Sequence, residues 1–208
     1  MRIGRLHVIT DTRCGRDPIS TVRAALDAGA PVIQVRGKEL SGQALYELAG
    51  RVADLCAAAG ALCVVNDRPD VAVAVDAGGV HLGADDLPVP AARYVLGSSR
   101  VVGATARDPA TARAHEAAGA SYLGVGPAYV TATKPGLPAA LGPEGVGAVA
   151  DAVRIPVVAV AGVTAVRVRE LVDAGAFGVA VIGAVSEAAD PAKATEALLR
   201  ALDEAGPR

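Results

Sequence analysis

Tryptophan is absent from this chain, phenylalanine occurs once and tyrosine four times. So few rings exclude a surface that stacks on nucleobases, the usual platform for single-stranded nucleic acid. A charge of one sign is also missing. Twenty Lys and Arg against 22 Asp and Glu give a formal net charge of −2, which offers a polyanion no general footprint. Any bound anion must therefore be held locally. Cys14, Cys56 and Cys63 match no CxxC spacing and read as reduced thiols of a cytosolic protein. His7, His81 and His115 are too few and too scattered for a metal cluster. The apolar run in MRIGRLHVIT is too short for a signal peptide, and no apolar stretch is long enough to span a membrane. The expectation is a soluble, cytoplasmic protein with neither nucleic acid nor membrane as partner.

What the chain has instead is alanine, valine and leucine, within a 52% apolar composition. Side chains this small suit helices packed closely on a sheet. A length of 208 residues is ample for one core and fits a single domain, 1–208, better than two.

One phrase recurs: DAGAPVIQVR at 27–36, AAGALCVVN at 58–66, DAGGVHLG at 76–83, AAGASYLGVG at 117–126 and DAGAFGVAVIG at 173–183. Each places Ala-Gly after an amphipathic stretch and a β-branched run directly behind it. Glycine just past a helix end takes a positive φ without a Cβ penalty. The short continuous apolar run reads as a strand buried on both faces. The repeating unit is helix, glycine cap, parallel strand. Strands are expected near 6–10, 32–36, 62–67, 79–83, 100–105, 122–126, 156–161 and 178–182. Helices are expected near 18–28, 41–59, 69–77, 88–96, 109–118, 143–153, 164–174 and 190–205, with start signals at Ser41, Asp108-Pro109, Thr164 and Asp190-Pro191. Eight of each in this length predict the α/β class and a single-domain (β/α)₈ TIM barrel. The alternative, a doubly wound open sheet, lacks its GxGxxG after the first strand.

A barrel of this kind carries its site at the C-terminal strand ends. The second strand, VIQVRGKEL, alternates so that Gln34, Arg36 and Lys38 share one face, and barrel closure makes that face interior. The third delivers Asn66 and Asp67, the fourth Asp85 and Asp86, the fifth Thr105. The sixth runs into GPAYVTATKPGLP with Thr131, Thr133 and Lys134, and the last two end at Gly162 and Gly183. Singly, each has a plain reading: Asp67 or Asp86 as a helix N-cap, Asn66 as a turn residue, the glycines as loop punctuation. Clustered at one end they suggest more. Two carboxylates on adjacent strands suit Mg²⁺ completed by water and substrate. Arg36, Lys38 and Lys134 suit phosphate oxygens, and together with the metal they suit a departing diphosphate. Gly162 and Gly183 stand where barrels bind a monophosphate through backbone N–H groups. No Ser-His-Asp or Cys-His arrangement is apparent, His81 reads as core and His115 as solvated, so a reaction needing little acid–base help fits best.

QVRGK, VNDRPDVAVAVDAGGVHLGADDLPV, GPAYVTATK, AGV and VIGAV occur in an order and at spacings that resemble the thiamine phosphate synthase family over nearly the whole chain. The NDRxDxA…GxHLGxxDLP segment is the most specific part. The resemblance implies a (β/α)₈ enzyme that joins a hydroxymethylpyrimidine diphosphate to a thiazole phosphate, carboxylated or not. It also implies that pyrophosphate leaves first and that the thiazole nitrogen captures the resulting cation. By motif, Gln34, Val35, Arg36, Gly37, Lys38, Asn66, Thr105 and Lys134 would hold the pyrimidine diphosphate, with Arg36, Lys38 and Lys134 catalytic. Asp67 and Asp86 would bind Mg²⁺. Thr131, Ala132, Thr133, Gly162, Ile182 and Gly183 would hold the thiazole phosphate.

The chain departs from the family pattern at Gly37 (usually Glu), Ala84 (Gln), Thr105 (Ser), Ala161 (Gly) and Gly183 (Ser). A related thiazole tautomerase relies on a His after the fifth strand, where this chain reads GATARD. A sugar-phosphate isomerase would leave Asp67, Asp86 and the Gln34 row without a task, and a non-catalytic binder of the same precursors would share every ligand. A homo-oligomer stays open, because an Ala/Val-rich helix face serves as core or interface alike. The Gly- and Pro-containing loop 127–141 is long enough to act as a lid.

Overall fold

The structure, a computed structural model, describes residues 3–13, 15–131 and 136–206. Eight parallel strands close in sequence order, β1-β2-β3-β4-β5-β6-β7-β8, with β8 pairing back onto β1. They are β1 Leu6–Ile9, β2 Val32–Val35, β3 Leu62–Asn66, β4 Gly79–Leu82, β5 Val101–Ala106, β6 Tyr122–Val125, β7 Val157–Val160 and β8 Gly178–Val181. The helices between them are α1 Pro18–Asp27, α2 Gly42–Ala59, α3 Pro69–Ala74, α4 Val89–Leu96, α5 Pro109–Ala117, α6 Gly142–Ala150 and α7 Ala165–Asp173. After β8 come α8 Gly183–Ser186 and α9 Pro191–Glu204. The predicted single (β/α)₈ barrel is what forms, and no described helix is long and apolar enough to cross a membrane.

The start signals act as expected at three of the four helices. The Ser41, Asp108 and Asp190 side chains accept backbone N–H groups of the first turn, and Asp17 does the same for α1. Thr164 stands at the N-cap of α7 without such a bond. The glycine caps hold at Gly29, Gly60, Gly119 and Gly175, all with positive φ. The DAGG phrase differs. There Asp76 takes the left-handed turn at φ 52, while Gly79 opens β4, where a Cβ would lie 2.2 Å from the Val101 carbonyl oxygen. Close backbone approach is the second reason for a glycine. The short α8 was not foreseen; four residues carry too little periodicity to announce a helix.

Strand alternation divides the molecule into two cores. Outward residues such as Leu6, Val8, Ile33, Val35, Cys63, Val65, Leu123 and Val179 pack beneath the helices. Inward ones, Ile9, Val32, Leu62, Val64, Val101, Tyr122, Val158 and Ala180, fill the barrel. Two glycines make room for rings inside it. A Cβ on Gly103 would stand 2.2 Å from the Tyr122 ring, and one on Gly124 would stand 2.7 Å from His81. The interior thus keeps two rings at the price of two missing side chains.

Candidate active site

Above that packed layer the barrel opens into a cavity of about 540 Å³ at the C-terminal strand ends. Ten of the residues expected there line it: Gln34, Arg36, Lys38, Asn66, Asp67, Thr105, Thr131, Gly162, Ile182 and Gly183. Ala132, Thr133 and Lys134 lie outside the described residues. The even-numbered row on β2 faces inward, and Val35 between them is fully buried beneath the helices, so its side chain is turned away from the cavity. Thr10, just past β1, fixes the row. Its Oγ1 donates to the Arg36 carbonyl at 2.9 Å and accepts the Arg36 N–H at 2.8 Å. Gly37 opens a turn closed by Leu40 N–H to its carbonyl, and the Leu40 side chain occupies the space that a side chain at 37 would need.

Alternation places Asn66 inward and should turn Asp67 outward. A positive φ of 64 reverses that, and the Asp67 N–H bonds to the His81 carbonyl at 2.8 Å. The carboxylate reaches Lys38 Nζ at 2.9 Å and hydrogen-bonds Asp86. Neither aspartate is a helix cap, since the N-caps of α3 and α4 are Arg68 and Pro88, without side-chain cap bonds. Asp86 instead accepts the Gly83 N–H at 2.7 Å. Burial, and then the bond to Asp86, push the Asp67 carboxyl up to about 6 despite Lys38. Burial acts the same way on Asp86 but is outweighed by the Asp67 bond, the Gly83 N–H and Lys38, so its carboxyl lies below the usual range. The pair takes up a proton only as pH falls to about 6. A Cβ on Gly83 would lie 2.8 Å from Asp86 Oδ2 and 3.9 Å from Asp67 Oδ1, so the glycine keeps open the space beside both carboxylates.

The floor is a polar chain that sequence reading did not assemble. His81 Nδ1 lies 3.0 Å from the Tyr122 hydroxyl and Nε2 lies 3.1 Å from Thr105 Oγ1. The Gln34 amide bonds the same Tyr122 oxygen. Burial lowers His81 to about 4 and His7 to about 3, so both imidazoles are neutral at physiological pH. His81 is the core residue expected, and its bond orients the Thr105 hydroxyl. The period-2 alternation of β4 and β6 was the signal that could have found this pairing.

Across the mouth, β7 is followed by Ala161 and Gly162, both left-handed at φ 75 and 67. Tyr129 N–H bonds the Ala161 carbonyl at 3.1 Å, and a Cβ on Gly162 would stand 2.7 Å from Tyr129 Cβ. The turn therefore lies flat against the loop after β6. The base of that loop is fastened by Leu141 and Gly142 N–H groups to the Pro127 and Ala128 carbonyls. Arg107, after β5, donates to the Gly126 and Ala139 carbonyls, which makes it a loop tie. Beside α8, the buried Asp11 carboxylate accepts from Arg13 and from Ser186 Oγ at 2.8 Å. Arg13 also pairs with Glu187 at 2.6 Å.

Eight parallel strands close into a (β/α)₈ barrel whose polar mouth gathers a row of cations and two hydrogen-bonded carboxylates. A model of the thiamine monophosphate synthase family matches residues 6–185. A thiamine-phosphate synthase of Salinispora tropica is 58% identical over 203 residues, covering 96% of this chain and 98% of its own length. One from Haloquadratum walsbyi is 46% identical over 197 residues, with 94% and 88% covered. The solved thiamine phosphate pyrophosphorylase of Pyrococcus furiosus superposes with a TM-score of 0.89 at 38% identity, covering 97% of this chain and 96% of that one. The chain belongs to the thiamine monophosphate synthase family, and with it to the transferases of thiamine biosynthesis.

Proposed function

We propose that this protein is a thiamine phosphate synthase, which transfers a hydroxymethylpyrimidine from its diphosphate to the ring nitrogen of a thiazole phosphate and releases pyrophosphate. The observation that carries the reading is the inward row Gln34–Arg36–Lys38 beside the Asp67–Asp86 pair. Cations and the Asp67 carboxylate in one cavity, with Asp86 bonded behind Asp67, suit a diphosphate, and the opposite side at Gly162, Ile182 and Gly183 suits a monophosphate.

Mg²⁺ fits Asp67 and Asp86: both offer hard oxygen donors, they lie within hydrogen-bond reach of each other, and Gly83 leaves the space beside them clear. When bound, it would neutralise diphosphate charge and so ease the departure of pyrophosphate. Arg36 and Lys38 hold the diphosphate oxygens and stabilise the charge that grows as the carbon–oxygen bond breaks and its electron pair leaves with pyrophosphate. Gln34, Asn66 and the oriented Thr105 hydroxyl hold the pyrimidine end. The pyrimidine methylene cation then accepts the thiazole nitrogen lone pair, and the carbon–nitrogen bond forms without a proton transfer. Two neutral histidines beneath the cavity agree with that sequence. The apolar wall of Val158, Val160, Val163 and Ile182 limits the water that would intercept the cation.

Purified protein, both phosphorylated precursors and Mg²⁺ should give thiamine phosphate and pyrophosphate in equal amounts, followed by ³¹P NMR. Tight precursor binding without product would leave a binding protein, and a rearranged thiazole without pyrophosphate would leave an isomerase.

A further inference from the structure

Two guanidinium groups line the cavity with no carboxylate partner among the described residues: Arg36 after β2 and Arg167 on α7. The other described charges there are spoken for, Lys38 by Asp67 and Glu187 by Arg13. The free positive charge is therefore split between separate strand ends. One half meets the proposed diphosphate. The other has had no task so far.

Arg167 is held rigidly. Its Nη1 donates to the Gly162 carbonyl at 2.6 Å, and its guanidinium carbon lies 4.3 Å from the centroid of the Tyr129 ring. Tyr129 is in turn tied to α7 by its hydroxyl, which donates to Glu170. The guanidinium is thus anchored at one nitrogen and one face. Its remaining nitrogens have no hydrogen-bond partner among the described residues and stand at the cavity edge beside the left-handed Gly162 turn. A fork fixed in this way suits a tetrahedral anion, because little side-chain freedom is lost when the anion binds.

We infer that Arg167 is a specificity-determining residue that binds the phosphate monoester of the thiazole substrate alongside the Gly162 and Gly183 backbone. The inference rests on the synthase reading. It adds a side-chain cation to a subsite otherwise built from backbone and hydroxyl groups. It also makes Tyr129 the platform that sets the cation's position.

The test compares the thiazole phosphate with the same thiazole bearing a free hydroxyl, in wild type, Arg167→Gln and Arg167→Lys. Arg167→Gln should raise KM for the phosphorylated thiazole about tenfold or more, the loss expected for a charge-assisted bond. KM for the hydroxyl compound and for the pyrimidine diphosphate should stay within about twofold. Arg167→Lys should recover part of the loss, because it keeps the charge without the fork. If both thiazoles weaken equally, Arg167 only braces the loop at Tyr129 and the inference is overturned. An unchanged preference for the phosphorylated thiazole overturns it as well. Wild-type protein that makes no product would instead remove the synthase reading itself, which separates the two failures.

Discussion

Acidification gives a sharp test of the barrel interior. His7 is 1% exposed, its ring meets Tyr122 edge-on at 5.1 Å between centroids, and its Nε2 lies 3.1 Å from the Gly4 carbonyl oxygen. Burial, and then the neighbouring His81, lower its pKa from 6.5 to about 3, against the Gly4 carbonyl. The folded value lies below the unfolded one, so the unfolded chain takes up a proton that the folded one refuses. This contribution to stability is complete above pH 6.5 and is lost as pH falls towards 3. At about pH 5 the unfolded state gains about 2 kcal/mol from this one group. His81 adds a loss of the same sign. Asp67 opposes both: its raised carboxyl binds a proton more readily in the folded state and adds stability as pH falls through about 6. The total pH profile is therefore mixed, and the informative quantity is a difference. Urea unfolding at about pH 8 and about pH 5 should show His7→Leu losing about 2 kcal/mol less than wild type across that interval, whatever its stability at pH 8. An identical loss in both proteins would mean that His7 is not buried neutral, and would refute the packing described around Tyr122.

Two further substitutions probe backbone and packing. Ala161 sits at φ 75, a conformation that costs an L-residue about 1–2 kcal/mol, while glycine adds about 0.4–1 kcal/mol of unfolded-state freedom. Ala161→Gly should therefore raise stability by roughly 0.5–1 kcal/mol, and a loss on urea unfolding would show that the turn is not strained. Gly103→Ala places a methyl 2.2 Å from the Tyr122 ring and should destabilise by about 1–3 kcal/mol in the same assay. A neutral result would mean that Tyr122 does not occupy the barrel centre.

The barrel was legible because its signals repeat. Ala-Gly phrases, β-branched runs and Asp-Pro starts each recur, and one misassigned cap at Asp76 leaves the count unchanged. Alternation alone also placed Gln34, Arg36, Lys38, Asn66 and Thr105 in one cavity. What stayed hidden depends on geometry that a period cannot encode. The positive φ of Asp67 turns a side chain that parity would point outward. The Leu40 side chain fills the place beside Gly37, so that departure from the family pattern has a local packing cause. The His81–Tyr122–Gln34 chain joins three strands, and Arg167 reaches the cavity from a helix, so neither shows a local signature.

The central claim is that the β2 row binds the diphosphate while the β7–β8 end binds the monophosphate. Calorimetric titration of each precursor separately, in wild type and Arg36→Gln with Mg²⁺ present, tests it most directly. The account predicts that Arg36→Gln weakens the pyrimidine diphosphate by about tenfold or more and leaves thiazole phosphate within about twofold. Equal weakening of both, or loss of thiazole phosphate binding alone, would contradict it.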